Sequence, residues 1–268
     1  MVSEKRLLAS DMDGTVIPLD QEPGRKEEVA ALRGALDEAE DLVLAYVTGR
    51  DYPLALKGIR DHGLPKPDIL VCDVGTSVFH ATAEGFEADS TYAGLMREAL
   101  GGIKLDDVRR IMDDVAHLEL QPEKRQSDFK VSYYVDPRAS HREVLQEVHR
   151  RLAGLEERIQ TVYSVRARDG TGLLDLLPEG VAKDYAIHYL HDHTGVSPHH
   201  LVYAGDSGND LAAMLSGFKV IVVGNAPEDL KEELTREGEK RQILPRLYFA
   251  EHPYARGVLE GCRHFGVL

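Results

Sequence analysis

The chain of 268 residues has no tryptophan and only two cysteines, Cys72 and Cys262. Two cysteines in a chain this long are no disulfide framework, and a reducing, cytoplasmic setting is the expectation. Basic residues are in the minority, 32 Lys+Arg against 46 Asp+Glu, for a formal charge of -14. That balance argues against nucleic acid and against an anionic membrane surface, since both need a basic face. It leaves a phosphorylated small molecule open, because a bound cation and a few local lysines override the overall field. No apolar run approaches the roughly 20 residues of a membrane span. The start, Met1-Val2-Ser3-Glu4-Lys5-Arg6, is charged and runs straight into the first apolar stretch, so no secretory segment is expected. Also missing are internal repeats, a Ser-His-Asp arrangement, a dinucleotide fingerprint and a Walker loop. His191, His193, His199 and His200 cluster near a predicted helix end without metal-ligand spacing, and read as solvated or structural.

What the chain does have is Leu7-Leu8-Ala9-Ser10-Asp11-Met12-Asp13-Gly14-Thr15, an apolar run ending in two carboxylates one residue apart. The run reads as a short buried strand, which puts Asp11 and Asp13 on the loop at its carboxyl end. Open α/β sheets keep their ligands at that edge. Two close carboxylates repel unless a cation or a shared proton neutralises them, and a divalent ion is the expected remedy. One carboxylate can then serve as a nucleophile and the other as a proton donor and acceptor.

Length allows one or two domains. Residues 25–40 have helical spacing, with Val29, Leu32 and Leu36 on one stripe. Residues 42–47 are a second strand, too apolar to alternate, as parallel strands covered on both faces are. It ends in Thr48-Gly49-Arg50, where a hydroxyl can donate to a phosphoryl oxygen and a glycine lets the backbone approach closely. A helix at 52–62 and a strand at 68–72 complete a strand-helix alternation that predicts a parallel sheet with right-handed crossovers.

From 81 the pattern changes. Helices are predicted at 91–100 and 105–116, an alternating strand at 129–136, a helix at 142–152 and a strand at 159–165. In the alternating strand Phe129, Val131, Tyr133 and Val135 face one way, and Lys130, Ser132, Tyr134 and Asp136 the other. This predicts an antiparallel sheet with one helix-covered face and one open polar face, in a separate α+β module. The doubly wound pattern is expected to resume at 173–177, before a helix at 181–193 whose first turn carries Lys183. A lysine there is disfavoured by the helix dipole, which argues for a reason to keep it. The strand 201–204 ends in Gly205-Asp206-Ser207-Gly208-Asn209-Asp210, a cradle suited to a hard, oxygen-loving cation. Strands at 220–223 and 247–250, each followed by a helix, complete the sheet.

These four loops, in this order, resemble the four motifs of the haloacid dehalogenase superfamily of phosphatases. The insertion lies between the second and third motifs, where the α+β-capped branch carries its cap. Within that branch the chain is similar to the sucrose-phosphate phosphatases, on Ala45-Tyr46-Val47-Thr48-Gly49-Arg50, Val74-Gly75-Thr76, Gln126 to Asp136, Asp175-Leu176-Leu177-Pro178 and Gly205 to Asp210. The first loop departs from them: it continues Gly14-Thr15-Val16 where plant and cyanobacterial enzymes have Asn-Thr-Trp. The mannosylfructose-phosphate phosphatases fit as well.

The resemblance implies an α/β fold, a doubly wound parallel sheet at 1–80 and 165–268 with an α+β cap at 81–164 that closes over it on joins near 78–83 and 163–169. It implies Mg²⁺-dependent hydrolysis of a sugar phosphate, most simply sucrose 6-phosphate, through an aspartyl phosphate on Asp11. Asp13 would be the acid and base; Asp11, Asp13, Asp206 and Asp210 would hold the metal. Thr48, Gly49, Arg50, Lys183 and Asn209 would bind the phosphoryl group, and Gln126 and Lys130 the sugar. A glycosyltransferase of the sucrose-phosphate synthase kind is the implied protein partner. A phosphomutase and a non-catalytic sugar-phosphate sensor are the rivals from other classes.

Overall fold

The structure, a computed structural model, describes residues 5–166 and 169–268. The charged start at Met1–Glu4, on which the expectation about secretion rests, lies outside the described residues. In chain order the elements are β1 (Arg6–Ser10), α1 (Arg25–Asp37), β2 (Leu42–Val47), α2 (Tyr52–His62), β3 (Ile69–Cys72), β4 (Ser77–Ala81) and β5 (Phe86–Ala88). Then come α3 (Ser90–Leu100), α4 (Leu105–Met112), β6 (Leu118–Leu120), β7 (Val131–Val135), α5 (His141–Arg151), β8 (Ile159–Val165) and β9 (Gly172–Pro178). The chain closes with α6 (Lys183–Thr194), β10 (Leu201–Gly205), α7 (Leu211–Met214), β11 (Lys219–Val222), α8 (Glu228–Arg241), β12 (Leu247–Phe249) and α9 (Tyr254–His264). They form two compact units, residues 1–87 with 183–268, and residues 88–182.

The first unit is built on an eight-stranded sheet in the order β12-β11-β10-β1-β2-β3-β4-β5. From β12 to β3 the pairing is parallel. Helices cover these strands, so Leu7, Leu8, Val47, Val202 and Val220 are all buried and no polar alternation survives. The chain runs outward from β1 through β2 and β3, then returns to β10 on the other side of β1. Strand order therefore reverses between β1 and β10, and a doubly wound sheet opens its crevice at that point. Asp11 follows one of these strands and Asp206 the other.

The second unit is a four-stranded antiparallel sheet, β6-β7-β9-β8. Val131 is paired with Leu176 and Tyr133 with Leu174, and these four are buried on the face that α3, α4 and α5 cover with Tyr92, Met96, Val108, Met112, Val144 and Val148. On the other face Ser132 stands opposite Asp175.

Two expectations fail here. Residues 173–177 are not a strand of the parallel sheet; they are the middle of β9, an inner strand between β7 and β8. An inner antiparallel strand buried on both sides is as apolar as a parallel one, and a short apolar run does not distinguish them. The second unit therefore runs to 182 rather than 164. The joins are also placed differently. Residues 77–81 are β4, paired antiparallel with β3. Residues 163–165 end β8, and Arg166 N donates to Thr171 O at 2.9 Å; Ala167 and Arg168, which fall in the second expected join, lie outside the described residues.

One carboxylate far from the sheet crevice helps to shape it. Glu260 on α9 accepts hydrogen bonds from the Tyr248 hydroxyl at 2.7 Å, from the backbone of Glu251 and His252, and from His252 Nδ1 at 2.7 Å. This fixes the turn before α9, where Tyr254 N donates to Asn225 Oδ1 and Asn225 Nδ2 donates to Gly14 O at 2.8 Å. Burial opposes ionisation of Glu260, but the four donors outweigh it and hold its pKa at about 2. A folded-state pKa below the unfolded value gives stability that is full above about 4.5 and is lost as pH falls toward 2. Glu260→Gln should therefore cost on the order of 1 kcal/mol in urea denaturation at pH 7, and the gap to the parent should narrow at pH 3 and close only as the pH nears 2.

Candidate active site

The loop after β1 is tied tightly. Asp11 N donates to Ala204 O at 2.9 Å, continuing the parallel register one residue past β1. The Met12 carbonyl accepts from the N–H groups of Thr15, Val16 and Ile17. The Met12 side chain is buried with Leu8, Val16 and Ile17 in the core, so the residue between the two aspartates is the loop's anchor. Gly14 has φ of 85°, and a Cβ there would lie 2.3 Å from Asp206 Oδ2. Only glycine lets this loop turn and lets Asp206 come so close.

Asp11, Asp206 and Asp210 are buried, and an oxygen of each lies within 4.8 Å of the others. Lys183 lies among them with 1% of its surface exposed, donating to Asp11 Oδ1 and to Asp210 Oδ1, both at 2.6 Å, and to Asn209 Oδ1 at 3.2 Å. Burial works against the ammonium charge, but Asp11 and Asp210 together outweigh it and raise the Lys183 pKa. Burial drives the Asp11 pKa well above the usual carboxylate range; Lys183 pulls against this, and the charges of Asp210 and Asp206 add to it. Burial and the Asp210 charge push Asp206 up to about 7. Thr15 Oγ1 donates to Asp206 Oδ1 at 2.9 Å and lies 3.4 Å from Asp11 Oδ2.

Asp13 takes a different direction. Its carboxylate is gripped by Arg50 through Nε and Nη2, both at 2.6 Å, while Nη1 of the same guanidinium donates to Leu54 O. The side chain of Asp13 is 42% exposed and is not among the three clustered carboxylates. Arg50 thus holds Asp13 at the sheet edge. Thr48 is buried, and its Oγ1 accepts from Arg50 N at 3.2 Å. The backbone of this loop is braced from β3: Asp73 N donates to Arg50 O and Val74 N to Thr48 O, with Asp73 and Val74 held at positive φ.

The sugar-contact candidates lie in the second unit and are engaged there. Gln126 Nε2 donates to Gln121 O and Ser132 O, and Gln126 Oε1 accepts from Ser132 N, so both ends of the amide serve the backbone. Lys130 is 4% exposed, with Nζ 3.8 Å from Asp175 Oδ1, and Ser132 Oγ donates to that same oxygen. The face expected to be open and polar is therefore closed at Lys130 and Ser132.

Sequence reasoning brought Asp11, Lys183, Asp206, Asn209 and Asp210 to one edge, and hydrogen bonds join them there. It missed Thr15, Asn225, Tyr203, Ser132 and Asp175. Thr15 and Asn225 carried a signal, each being polar and close behind an apolar run that ends at this edge.

Three buried carboxylates beside one lysine leave an excess of negative charge, and Asp206 Oδ2 approaches Gly14 rather than a donor among the described residues. A hard divalent cation on oxygen ligands suits such a donor set. The profile of the sucrose-6F-phosphate phosphohydrolase family matches residues 4–266. The chain belongs to this family. It is a phosphatase of the haloacid dehalogenase superfamily. It is 30% identical to the mannosylfructose-phosphate phosphatase of Agrobacterium fabrum, over 98% of this chain and 97% of that one. It is 29% identical to sucrose-phosphatase 1 of Nicotiana tabacum over 97% of its length, spanning 59% of the tobacco protein. Among solved structures it is similar to the sucrose-phosphatase of Synechocystis sp. PCC6803 in complex with sucrose and phosphate, with a TM-score of 0.79, 28% identity, and coverage of 98% and 99% of the two chains.

Proposed function

We propose that this phosphatase hydrolyses sucrose 6-phosphate with Mg²⁺, using Asp11 as nucleophile. The observation that carries the mechanism is the pairing of Asp11 Oδ1 with Lys183 at 2.6 Å, which among the described residues leaves Oδ2 with only the long Thr15 contact. Oδ2 attacks phosphorus as the bond to the sugar oxygen breaks, and Asp13 gives that oxygen its proton. Asp13, now a carboxylate, takes a proton from a water that attacks phosphorus and frees Asp11. Arg50 holds both Asp13 oxygens in the structure, so Asp13 swings off the guanidinium and takes up a proton before it acts as the acid. Lys183, the Thr48 hydroxyl and Asn209 hold the equatorial oxygens where charge spreads. Asp11 and Asp206 would hold Mg²⁺, which when bound supplies neutralisation of the carboxylate and phosphoryl charge.

The second unit is assigned to the sugar, with Lys130 as its contact and Ser132 and Asp175 as the groups that aim Lys130. The disaccharide rests on the Synechocystis complex and on the tobacco relative. A mannosylfructose phosphate is the second reading, favoured by the end-to-end match with the Agrobacterium enzyme. An enzyme that joins a sugar to a phosphorylated sugar would supply either substrate, and a glycosyltransferase partner belongs to this reading.

The test is phosphate release with Mg²⁺ from sucrose 6-phosphate, mannosylfructose phosphate, simple hexose phosphates and p-nitrophenyl phosphate. A preference of at least about 100-fold in kcat/KM for sucrose 6-phosphate over hexose phosphates is expected. Lys130→Ala should lower kcat/KM on the disaccharide ester by about 10–100-fold and on p-nitrophenyl phosphate by less than about threefold. A flat profile would remove the sucrose assignment, and equal losses on both esters would remove Lys130 from sugar recognition.

A further inference from the structure

We infer that Tyr203 is a positioning residue of this phosphatase, acting through Asp210 to hold Lys183 against Asp11, and that Asp210 is a clamp on Lys183 rather than a metal ligand. The inference rests on the roles given above to Asp11 and Lys183.

Tyr203 is in the middle of β10 with 0% of its surface exposed. In the sequence it reads as filler of an apolar strand, yet its hydroxyl donates to Asp210 Oδ1 at 2.6 Å. The same oxygen takes Lys183 Nζ at 2.6 Å. Asp210 Oδ2 takes Asp206 N at 3.2 Å, Ser207 N at 3.1 Å and Ser207 Oγ at 3.2 Å. A carboxylate offers about four lone-pair positions, and five donors already converge on this one. Joining a cation's shell would require Asp210 to release Tyr203 or Lys183, or the loop of Asp206 and Ser207. Asp11 and Asp206 carry no such load.

The seat for Asp210 is prepared on the strand itself. Gly205 is two residues beyond Tyr203, so both face the same side of β10. A Cβ on Gly205 would lie 2.9 Å from Asp210 Cγ and 3.0 Å from Asp210 Cβ. The missing side chain is the space into which Asp210 folds back, and the Tyr203 hydroxyl meets it there. The hydrogen bonds form one line, Tyr203 to Asp210 to Lys183 to Asp11, with its far end at the attacking carboxylate. If Tyr203 is lost, one lone pair of a fully buried anion is empty. Asp210 then has only Lys183 on Oδ1, and Lys183 is free to follow it away from Asp11.

Tyr203→Phe keeps the ring and removes only the hydroxyl. With sucrose 6-phosphate and with p-nitrophenyl phosphate as probes, kcat should fall about tenfold while KM changes by less than about twofold. Calorimetric titration with Mg²⁺ alone should give a Kd within about twofold of the parent, because neither proposed ligand has moved. In an Asp210→Asn background, adding Tyr203→Phe should change kcat by less than about twofold. Gly205→Ala, which displaces Asp210 by a different route, should reproduce the kcat loss at constant KM and keeps the test open if the phenylalanine variant does not fold. Unchanged kcat in folded Tyr203→Phe would overturn the inference, as would a full tenfold loss that persists without Asp210. An Asp210→Asn protein that loses Mg²⁺ binding would overturn the assignment of Asp210. Lys183→Met separates the two levels: retained turnover there removes the underlying mechanism, whereas an inactive Lys183→Met beside a fully active Tyr203→Phe removes only the role of Tyr203.

Discussion

Asp11→Asn should abolish turnover and, in the metal-free protein, raise the melting temperature. The two effects have one origin. Asp11 is buried beside Asp206 and Asp210, and burial together with those charges makes its ionised form costly in the folded state. A group whose folded-state pKa is raised destabilises the fold at any pH where it is charged, so an uncharged isostere relieves that cost at pH 7. Asparagine keeps the volume and keeps an oxygen for Lys183 but cannot form the acyl phosphate. A loss of at least about 10⁴-fold in kcat is expected, the scale on which removal of a nucleophile acts. The gain in melting temperature should be a few degrees, about 1 kcal/mol for a chain of this size. Mg²⁺ should stabilise the parent more than the variant, because one of its two proposed ligands has lost its charge. Turnover within tenfold of the parent would place the nucleophile elsewhere. Destabilisation of the metal-free variant would mean that Lys183 compensates Asp11 more fully than its shared contacts with Asp210 and Asn209 suggest.

The site's chemistry was legible because each part of it follows a buried strand. Apolar runs that stop at small polar residues mark β1, β2 and β10, and the carboxyl edge of a parallel sheet does the rest. Lys183 was legible for the opposite reason, as a charge at the helix end where the dipole disfavours it; the structure supplies the reason in Asp11 and Asp210. What the sequence conceals is pairing across distance. Arg50 and Asp13 are far apart in the chain, and nothing in either motif says that the guanidinium would grip the acid rather than the substrate. Tyr203 is hidden for a related reason, since a tyrosine inside Leu201-Val202-Tyr203-Ala204 is indistinguishable from packing until the hydroxyl's partner is seen. The misplacement of 173–177 is the same difficulty at the level of topology. Leu174 and Leu176 are fully buried on one face while Leu173 and Leu177 place apolar residues on the other, and this blurs the period-two pattern in the sequence that would have marked an antiparallel strand. Alternation also misjudged Lys130. It gave the face of the sheet correctly but carried no information on Asp175, the partner that draws the side chain in.

Lys183→Met should be the most damaging change to the fold and should also slow the reaction severely. Methionine fills nearly the same space, so the loss isolates the charge. Asp11, Asp206 and Asp210 are then left buried without the ammonium that lies among them, and removing one partner from a buried ion pair costs about 3–5 kcal/mol. Turnover should fall by about 10²–10³-fold or more, since the group that holds both Asp11 and the transferring oxygens is gone. Mg²⁺ separates the two consequences. A divalent cation repairs the charge balance, so saturating Mg²⁺ should recover much of the lost stability. It cannot stand where Nζ stood, 2.6 Å from both Asp11 Oδ1 and Asp210 Oδ1, so turnover should not return. Lys183→Arg restores the charge without the point-like donor, and its planar fork does not fit the seat of a single nitrogen between two oxygens. It should fold better than Lys183→Met and remain nearly as slow. Recovery of turnover by Mg²⁺ in Lys183→Met would mean that the lysine supplies charge alone, and that its placement between the two carboxylates is incidental to the reaction.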